Sequence, residues 1–338
     1  MTNTNSIWNS GERIPFLLKP SVKHYIWGGN RLIDDFAIQS DTLPVAEAWE
    51  CSTHEDGESI VCGGAYDGKL LSYVLDAHPE ILGSHPKSGT KLPILIKLID
   101  AKEDLSLQVH PDDAYAKEHE NGSLGKTELW YVLDAGSESV ISYGFRHEMD
   151  KDKLRESLHD GTVMKHVQQV PAHVDDVFYV EAGTVHAIGA GTLIAEIQEA
   201  SNITYRMYDY GRVDSCGNPR ELHIEKALDV ADLVGAKEPR QPMRVLKYTP
   251  GCARELLYRC QYFEVERMLI NTERCRNLAS YRADSTSFRV LLCTSGCGTV
   301  MPENGETIPF FKGDCIFVPA DSQTMRLHGK AQFLSVKC

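Results

Sequence analysis

Apolar and polar positions alternate with a period of two over much of the chain, which predicts strands rather than helices. The stretch from Leu105 to Leu133, LSLQVHPDDAYAKEHENGSLGKTELWYVL, shows the pattern best. Ser106, Gln108 and His110 alternate there with Leu105, Leu107 and Val109. Successive strand side chains point to opposite faces, so the polar groups share one face and the aliphatic ones pack behind. Pro111 ends the strand because it has no N–H to give a ladder, and a short helix is expected after it. A second strand, Lys126 to Leu133, places Lys126 and Glu128 on one face.

The remaining pattern is read the same way. Ser21 to Asn30 is expected to be a strand running into a Gly-Gly turn, and Val45 to Ser52 and Ser59 to Cys62 are further strands. Helical spacing of Leu70, Leu71, Val74, Leu75, Ile81 and Leu82 predicts a helix within 68–84. Lys91 to Ile99 is a continuous apolar run with one internal charge, Lys97, and reads as a core strand. Lys151 to Gly161 is a short helix stopped by glycine. Val177 to Ala182 and Thr192 to Gln198 are strands, the latter with Glu196 and Gln198 on one face. In a regular strand over Ile203 to Arg212, Thr204, Arg206, Tyr208 and Arg212 share a face. Arg220 to Val234 has an amphipathic helical pattern, and GAKEPRQP after it reads as a linker.

Beyond the linker the pattern changes to short strands separated by turn signals: 262–270, 288–293, 298–301, 308–311, 315–318 and 331–336. Such spacing suits a sandwich or barrel. CTSGC, between the second and third of these, reads as a turn.

A chain of 338 residues accommodates two domains, or one domain with additions. Its 42% hydrophobic and 25% charged residues are those of an ordinary globular protein. No apolar run is long enough for a membrane span, and MTNTNSIWNSGERIP lacks the features of a signal peptide. The first twenty residues are read as a tail and the protein as cytoplasmic. A net charge of -13 argues against a nucleic-acid partner. It leaves room for a phosphorylated small molecule held by local Arg and Lys. The ten cysteines contain no C-x-x-C pair and are read as reduced thiols. No obligate protein partner is indicated.

The candidate chemistry lies in the alternating strands. Gln-x-His alone is common on half-exposed strands. A third segment, EAGTVHAIGAGTLIAEIQ at Glu181 to Gln198, raises the functional reading because it sets His186 between a glycine turn and a strand. Gln108, His110, Glu128 and His186 then form a four-ligand set from three strand regions, a mixed N/O site for a divalent metal. No G-x-G-x-x-G follows a strand, so dinucleotide binding has little support.

SLQVHP, GKTELWYVL, GTVHAIGAGTLIAEIQEASNITYRMYDYGR, YIWGGNRL and AEAWECSTHEDGES together resemble class I phosphomannose isomerases, in the family's order, from about Ser21 to Asp232. The length resembles the short bacterial form. KGDCIFVPA at 312–320 resembles the second motif of a cupin jelly roll, and DDVFYVEAG at 175–183 stands in the equivalent place of the first half. The expected fold is therefore mainly β: two cupin-type jelly-roll domains, with several short helices packed around the first. The expected division is a tail over 1–20, a metal-bearing catalytic domain over 21–238 and a cupin-like domain without metal over 239–338.

The resemblance implies reversible conversion of mannose 6-phosphate to fructose 6-phosphate through an enediol, with one zinc ion per chain. Gln108, His110, Glu128 and His186 resemble the family's zinc ligands, Gln108 being the weakest as a ligand. Arg206 matches the family's active-site arginine, and its fixed positive fork suits an enediolate or a phosphate. Lys126 is either a source of positive charge and proton transfer or a solvated strand-end lysine. Ser106 matches the serine of the SLQ-x-HP motif and is a phosphate contact. Arg212 is a second phosphate candidate or a surface ion-pair residue, and Glu196 is a base or a group orienting a ligand. Glu181 departs from the family, which has proline there. Two other readings stand beside the isomerase: a non-catalytic phosphosugar-binding cupin sensor and an iron-dependent cupin oxygenase.

Overall fold

The computed structural model describes residues 13–86, 89–214, 216–235, 238–241, 246–275 and 277–338. The fold is mainly β, as the alternation predicts, and its strands form three large antiparallel sheets. A six-stranded sheet runs in the order Val177–Val180, Glu128–Ala135, Thr192–Glu199, Ile94–Ala101, Glu47–Cys51 and Ser21–Lys23. A five-stranded sheet runs in the order Val167–Pro171, Val140–Phe145, His186–Ile188, Leu107–Val109 and Tyr205–Tyr208. These two sheets face each other as the sandwich of a jelly roll. Between them pack Ile99, Trp130, Val132 and Ile194 from one sheet and Ile141, Tyr143 and Ile188 from the other.

The outer face of each sheet is also apolar, so each needs a cover. Leu107, Val109, Ala187, Tyr205 and Met207, on the back of the five-stranded sheet, pack on the helices Lys151–His159 and Ile224–Val230 through Leu154, Leu158, Ala227 and Leu228. Ile94, Ile96, Leu98, Leu129, Ala195 and Ile197, on the back of the six-stranded sheet, pack on Val265, Val290, Leu292, Phe317, Leu334 and Val336. The latter belong to a ten-stranded sheet, most of whose strands come from beyond residue 246. That sheet curls over a second core of Met268, Ile270, Leu291, Ile316, Phe310 and Phe333.

Several expectations are corrected. The tail ends sooner than residue 20: Phe16–Lys19 is a strand pairing with Cys315–Val318 on one side and Ile60–Cys62 on the other. Phe16 and Leu18 are buried in the core between the sheets, and that burial, invisible in so short a segment, orders it. The expected helix over 220–234 shrinks to Ile224–Val230, because Arg220 is drawn to Asp209 instead. The strand expected over 203–212 is Tyr205–Tyr208. A register shift follows Arg206, and positive φ at Tyr210 and Gly211 turns the chain away. CTSGC is no turn but a register shift inside the long strand Arg289–Pro302. The strand Cys252–Arg259 was not anticipated. Of the expected linker, Arg240 is anchored on Asp176, while residues 236–237 and 242 lie outside the described residues. All ten cysteines are free thiols. Among the described residues no helix is long and apolar enough to cross a membrane.

The Gly-Gly turn has a stringent steric role. The backbone N–H of Arg31 donates to Asp100 Oδ2 at 2.9 Å, and its Nε donates to Oδ1 at 2.7 Å. A Cβ on Gly29 would lie 2.2 Å from Asp100 Oδ2. Gly29→Ala must therefore displace a buried, paired carboxylate, and a loss of about 1–3 kcal/mol is expected in urea unfolding. An unchanged midpoint would show that Asp100 yields freely.

Candidate metal centre and active site

Strand pairing places the functional side chains in rows. In the six-stranded sheet Trp49 pairs with Lys97, Lys97 with Glu196, and Glu196 with Trp130. Gln198 pairs with Glu128 one step along. The neighbours Leu98, Ala195, Ile197 and Leu129 face the opposite way, into the outer core, so this row points into the sandwich. In the five-stranded sheet Gln108 pairs with His186 on one side and Arg206 on the other. Their neighbours Leu107, Val109, Ala187, Tyr205 and Met207 pack under the helices. The second row therefore faces the first.

His110, Glu128 and His186 meet where the rows converge, all buried, with their ligand atoms within 4.8 Å of one another. His110 Nε2 lies 3.2 Å from Glu128 Oε1, and His186 Nε2 lies 3.6 Å from Oε2. The chain sets both imidazoles the same way. His110 Nδ1 lies 2.8 Å from the Ile203 carbonyl, and His186 Nδ1 lies 2.8 Å from that of Thr184. A carbonyl only accepts, so each Nδ1 carries the proton and each Nε2 presents a lone pair. His110 Nε2 and Glu128 Oε2 are buried without a hydrogen-bond partner. Two imidazole lone pairs and a carboxylate, convergent and buried, fit a divalent cation. Gln108 Nε2 lies 3.3 Å from His186 Nε2. Turning the amide over would present its oxygen to the same point.

The electrostatics agree with a site of neutral imidazoles around a charged carboxylate. Burial, reinforced by the Lys126 charge, pushes His110 down to about 3. Burial also lowers His186. For Glu128 burial works toward the neutral acid, but the Lys126 ammonium opposes it and the carboxyl is held well below its usual range. Lys126 Nζ stands 2.5 Å from Glu128 Oε1. Lys126 itself precedes the strand, which begins at Glu128. It is 4% exposed, which removes the reading of a solvated strand-end lysine.

A cavity of about 250 Å³ adjoins this cluster. Ser106, Gln108, Lys126, Glu196 and Arg206 line it, as do Lys97, Glu47 and Arg220. Four cationic side chains there face two carboxylates, a balance suited to an anionic ligand. Lys97 Nζ lies 3.1 Å from Glu196 Oε1 and 3.7 Å from Glu47 Oε2. Burial opposes the charge on Lys97, but Glu196 and Glu47 prevail and raise its pKa. Burial, then the Glu128 charge, raises the pKa of Glu196. Trp130 Nε1 donates to Glu196 Oε2 at 2.9 Å, and Trp49 Nε1 donates to Glu47 Oε2 at 2.7 Å.

Of the residues singled out in the sequence, Arg212 alone stays outside this assembly. Its Nη2 bonds Asp209 at 2.5 Å and its Nη1 bonds the Asp104 carbonyl at 2.5 Å. Arg220, placed in a helix by its sequence pattern, lines the cavity instead, with Nε and Nη2 on the same Asp209. Arg206 donates from Nη1 to the Glu221 carbonyl at 2.8 Å, and its Nε is buried without a partner. Glu181 is exposed and does not enter the cluster. Lys97 and Glu47 were missed as site residues, although a lysine inside an otherwise apolar run was a usable signal: a fully buried charge requires partners.

Comparison with known proteins gives a consistent result. A family model for the catalytic domain of type I phosphomannose isomerase matches residues 16–139. The mannose-6-phosphate isomerase ManA of Bacillus subtilis is 35% identical over 319 residues, covering 94% of this chain and 97% of that protein. The mannose-6-phosphate isomerase of Streptococcus mutans is 43% identical over 217 residues, covering 64% and 67%. The crystal structure of mannose 6-phosphate isomerase from Bacillus subtilis superposes with a TM-score of 0.87 at 34% identity, covering 95% of this chain and 99% of that one. With ManA aligned over nearly its whole length and the fold shared, the chain belongs to the type I phosphomannose isomerase family.

Proposed function

We propose that the protein interconverts mannose 6-phosphate and fructose 6-phosphate as a zinc-dependent aldose–ketose isomerase, through an enediol. One observation carries the reading: the buried, convergent ligand atoms of His110, Glu128 and His186 adjoin a cavity whose charged lining favours an anion. These three residues would hold the zinc, with Gln108 beside them. Bound there, zinc supplies Lewis acidity toward the sugar's oxygens.

The chain's own side chains meet the other demands. Isomerisation takes a proton from C2 of the aldose and delivers one to C1. Glu196 is the carboxyl assigned to carry it, since its raised pKa brings it nearer the working pH. Trp130 fixes one of its oxygens, leaving Oε1 beside Lys97. Lys126 supplies positive charge next to Glu128 and the reacting oxygens. Arg206, with its unpartnered Nε, neutralises anionic charge on the substrate. Arg220 replaces Arg212 as the second guanidinium for the phosphate, and Ser106 adds a hydroxyl.

Metal analysis paired with a coupled assay on mannose 6-phosphate tests the reading. About one zinc per chain and turnover that a chelator removes are expected. Metal and sugar binding without turnover would favour the sensor, and activity requiring oxygen the oxygenase. His110→Ala and His186→Ala are each expected to lose metal and activity together, read by metal content and rate on the same sample. Arg206→Ala is expected to keep its metal and lose about 100-fold or more in kcat/KM. Arg220→Gln is expected to act mainly on KM, and full activity in either arginine variant would remove that residue from the site. Glu196→Gln is expected to lower kcat by about 100-fold or more with the metal retained. A wild-type rate would assign the proton to another group.

A further inference from the structure

The segment 124–127 delivers Lys126 to Glu128, and the surrounding chain grips it throughout. Ser201 Oγ donates to the Leu124 carbonyl at 3.0 Å, and the Lys126 N–H donates to the Pro111 carbonyl at 3.0 Å. The Glu199 N–H also donates to the Thr127 carbonyl at 3.2 Å, and two further anchors are carboxyl groups. The Gly125 N–H donates to Asp113 Oδ1 at 2.9 Å, and the Thr127 N–H donates to Glu199 Oε1 at 2.8 Å. Gly125 has no room to shift, since a Cβ there would lie 2.4 Å from the Asp112 carbonyl carbon.

The two carboxyls are neighbours. Glu199, 2% exposed, lies close enough to Asp113 for that carboxyl to favour the protonated form of Glu199. Asp113 Oδ2 in turn accepts the Tyr262 hydroxyl at 3.2 Å, from the turn before the strand Glu264–Asn271 of the ten-stranded sheet. A hydrogen bond between two carboxyls needs one proton between them. The titratable groups facing Glu199 are Asp113 on its helix and Cys260 and Tyr262 on that turn.

We propose that the Asp113–Glu199 carboxyl pair is a positioning device for Lys126, holding 125–127 in the shape that sets its ammonium against Glu128 and tying that shape to the C-terminal sheet through Tyr262. This rests on the reading of Lys126 as a group of the active site. Glu199 keeps its proton up to about 8, through burial first and Asp113 second. Below that pH the pair is bridged. Above it two carboxylates repel, the anchor is lost, and kcat falls.

The test uses the metal-loaded full chain, with mannose 6-phosphate turnover followed from neutral to alkaline pH. Glu199→Ala is expected to lower kcat by about tenfold or more while KM and metal content hold. Glu199→Gln can accept from Thr127 and donate to Asp113, so it is expected to restore kcat at neutral pH and to abolish the fall above about 8. Tyr262→Phe is expected to lower kcat in the same direction. A Glu199→Ala variant with the wild-type kcat overturns the proposal, as does a Glu199→Gln profile coincident with that of the wild type. Amide hydrogen exchange at 125–127, corrected for intrinsic pH dependence, reads the pair without turnover. Protection is expected to drop above about 8 in the wild type and to persist in Glu199→Gln. If no form of the chain isomerises mannose 6-phosphate, the assigned function fails, and equal exchange in wild type and Glu199→Gln separately overturns the positioning role.

Discussion

The site depends on a lysine charge buried between two carboxylates. Lys97 is 3% exposed and is bracketed by Glu196 and Glu47. An ion stripped of water at such a point is tolerated only with partners, and breaking such a pair from one side costs about 3–5 kcal/mol. The partners come from neighbouring strands, so the charge also fixes the register. A slip of one residue would turn Lys97 and Glu196 into the outer apolar core and bring Leu98 and Ala195 inward. The charged row and the apolar row behind it specify the same pairing.

That fixed row gives the facing sheet something rigid to work against. The five-stranded sheet contributes Arg206, Gln108 and His186 in one line, and a cavity opens where the two polar lines face each other. The imidazoles reach it neutral because burial holds them so, and backbone carbonyls have already chosen their tautomers. Glu128 stays charged because Lys126 stands beside it. Preorganisation is thus distributed: strands place the side chains, carbonyls orient the rings, and one ammonium sets the state of the carboxylate.

Much of this was legible in the sequence, and what was not has identifiable physical causes. The alternation around Gln108 and Glu128 placed those residues correctly because one face of each strand is apolar throughout. His186 was recoverable from a glycine turn followed by a strand. Arg212 falls outside the cavity because the strand Tyr205–Tyr208 shifts register after Arg206, and a period-two pattern carries no sign of that. The helix predicted at Arg220 lost its first residues to Asp209, a contact across eleven positions. Phe16–Lys19 was hidden for a related reason: four residues have too little pattern to announce a strand, and pairing with Cys315–Val318 and Ile60–Cys62 makes them one.

The C-terminal half follows from the same constraint. A sheet with charge on its inner face takes its stability from its outer face, and here that face is aliphatic and must be covered. The ten-stranded sheet covers it, and polar contacts fix how it sits. Arg267 bridges Glu255 at 2.7 Å and Asp175 at 3.2 Å, and Gln332 Nε2 donates to the Tyr131 hydroxyl at 3.0 Å. Tyr131 lies one residue from Trp130, which holds Glu196 on the opposite face. The cover and the charged row are therefore two faces of one strand, and a cover that shifted would carry the cavity lining with it. A half that holds no metal-ligand cluster among the described residues is retained in the architecture by the demand of a polar-cored sheet for a rigid apolar backing.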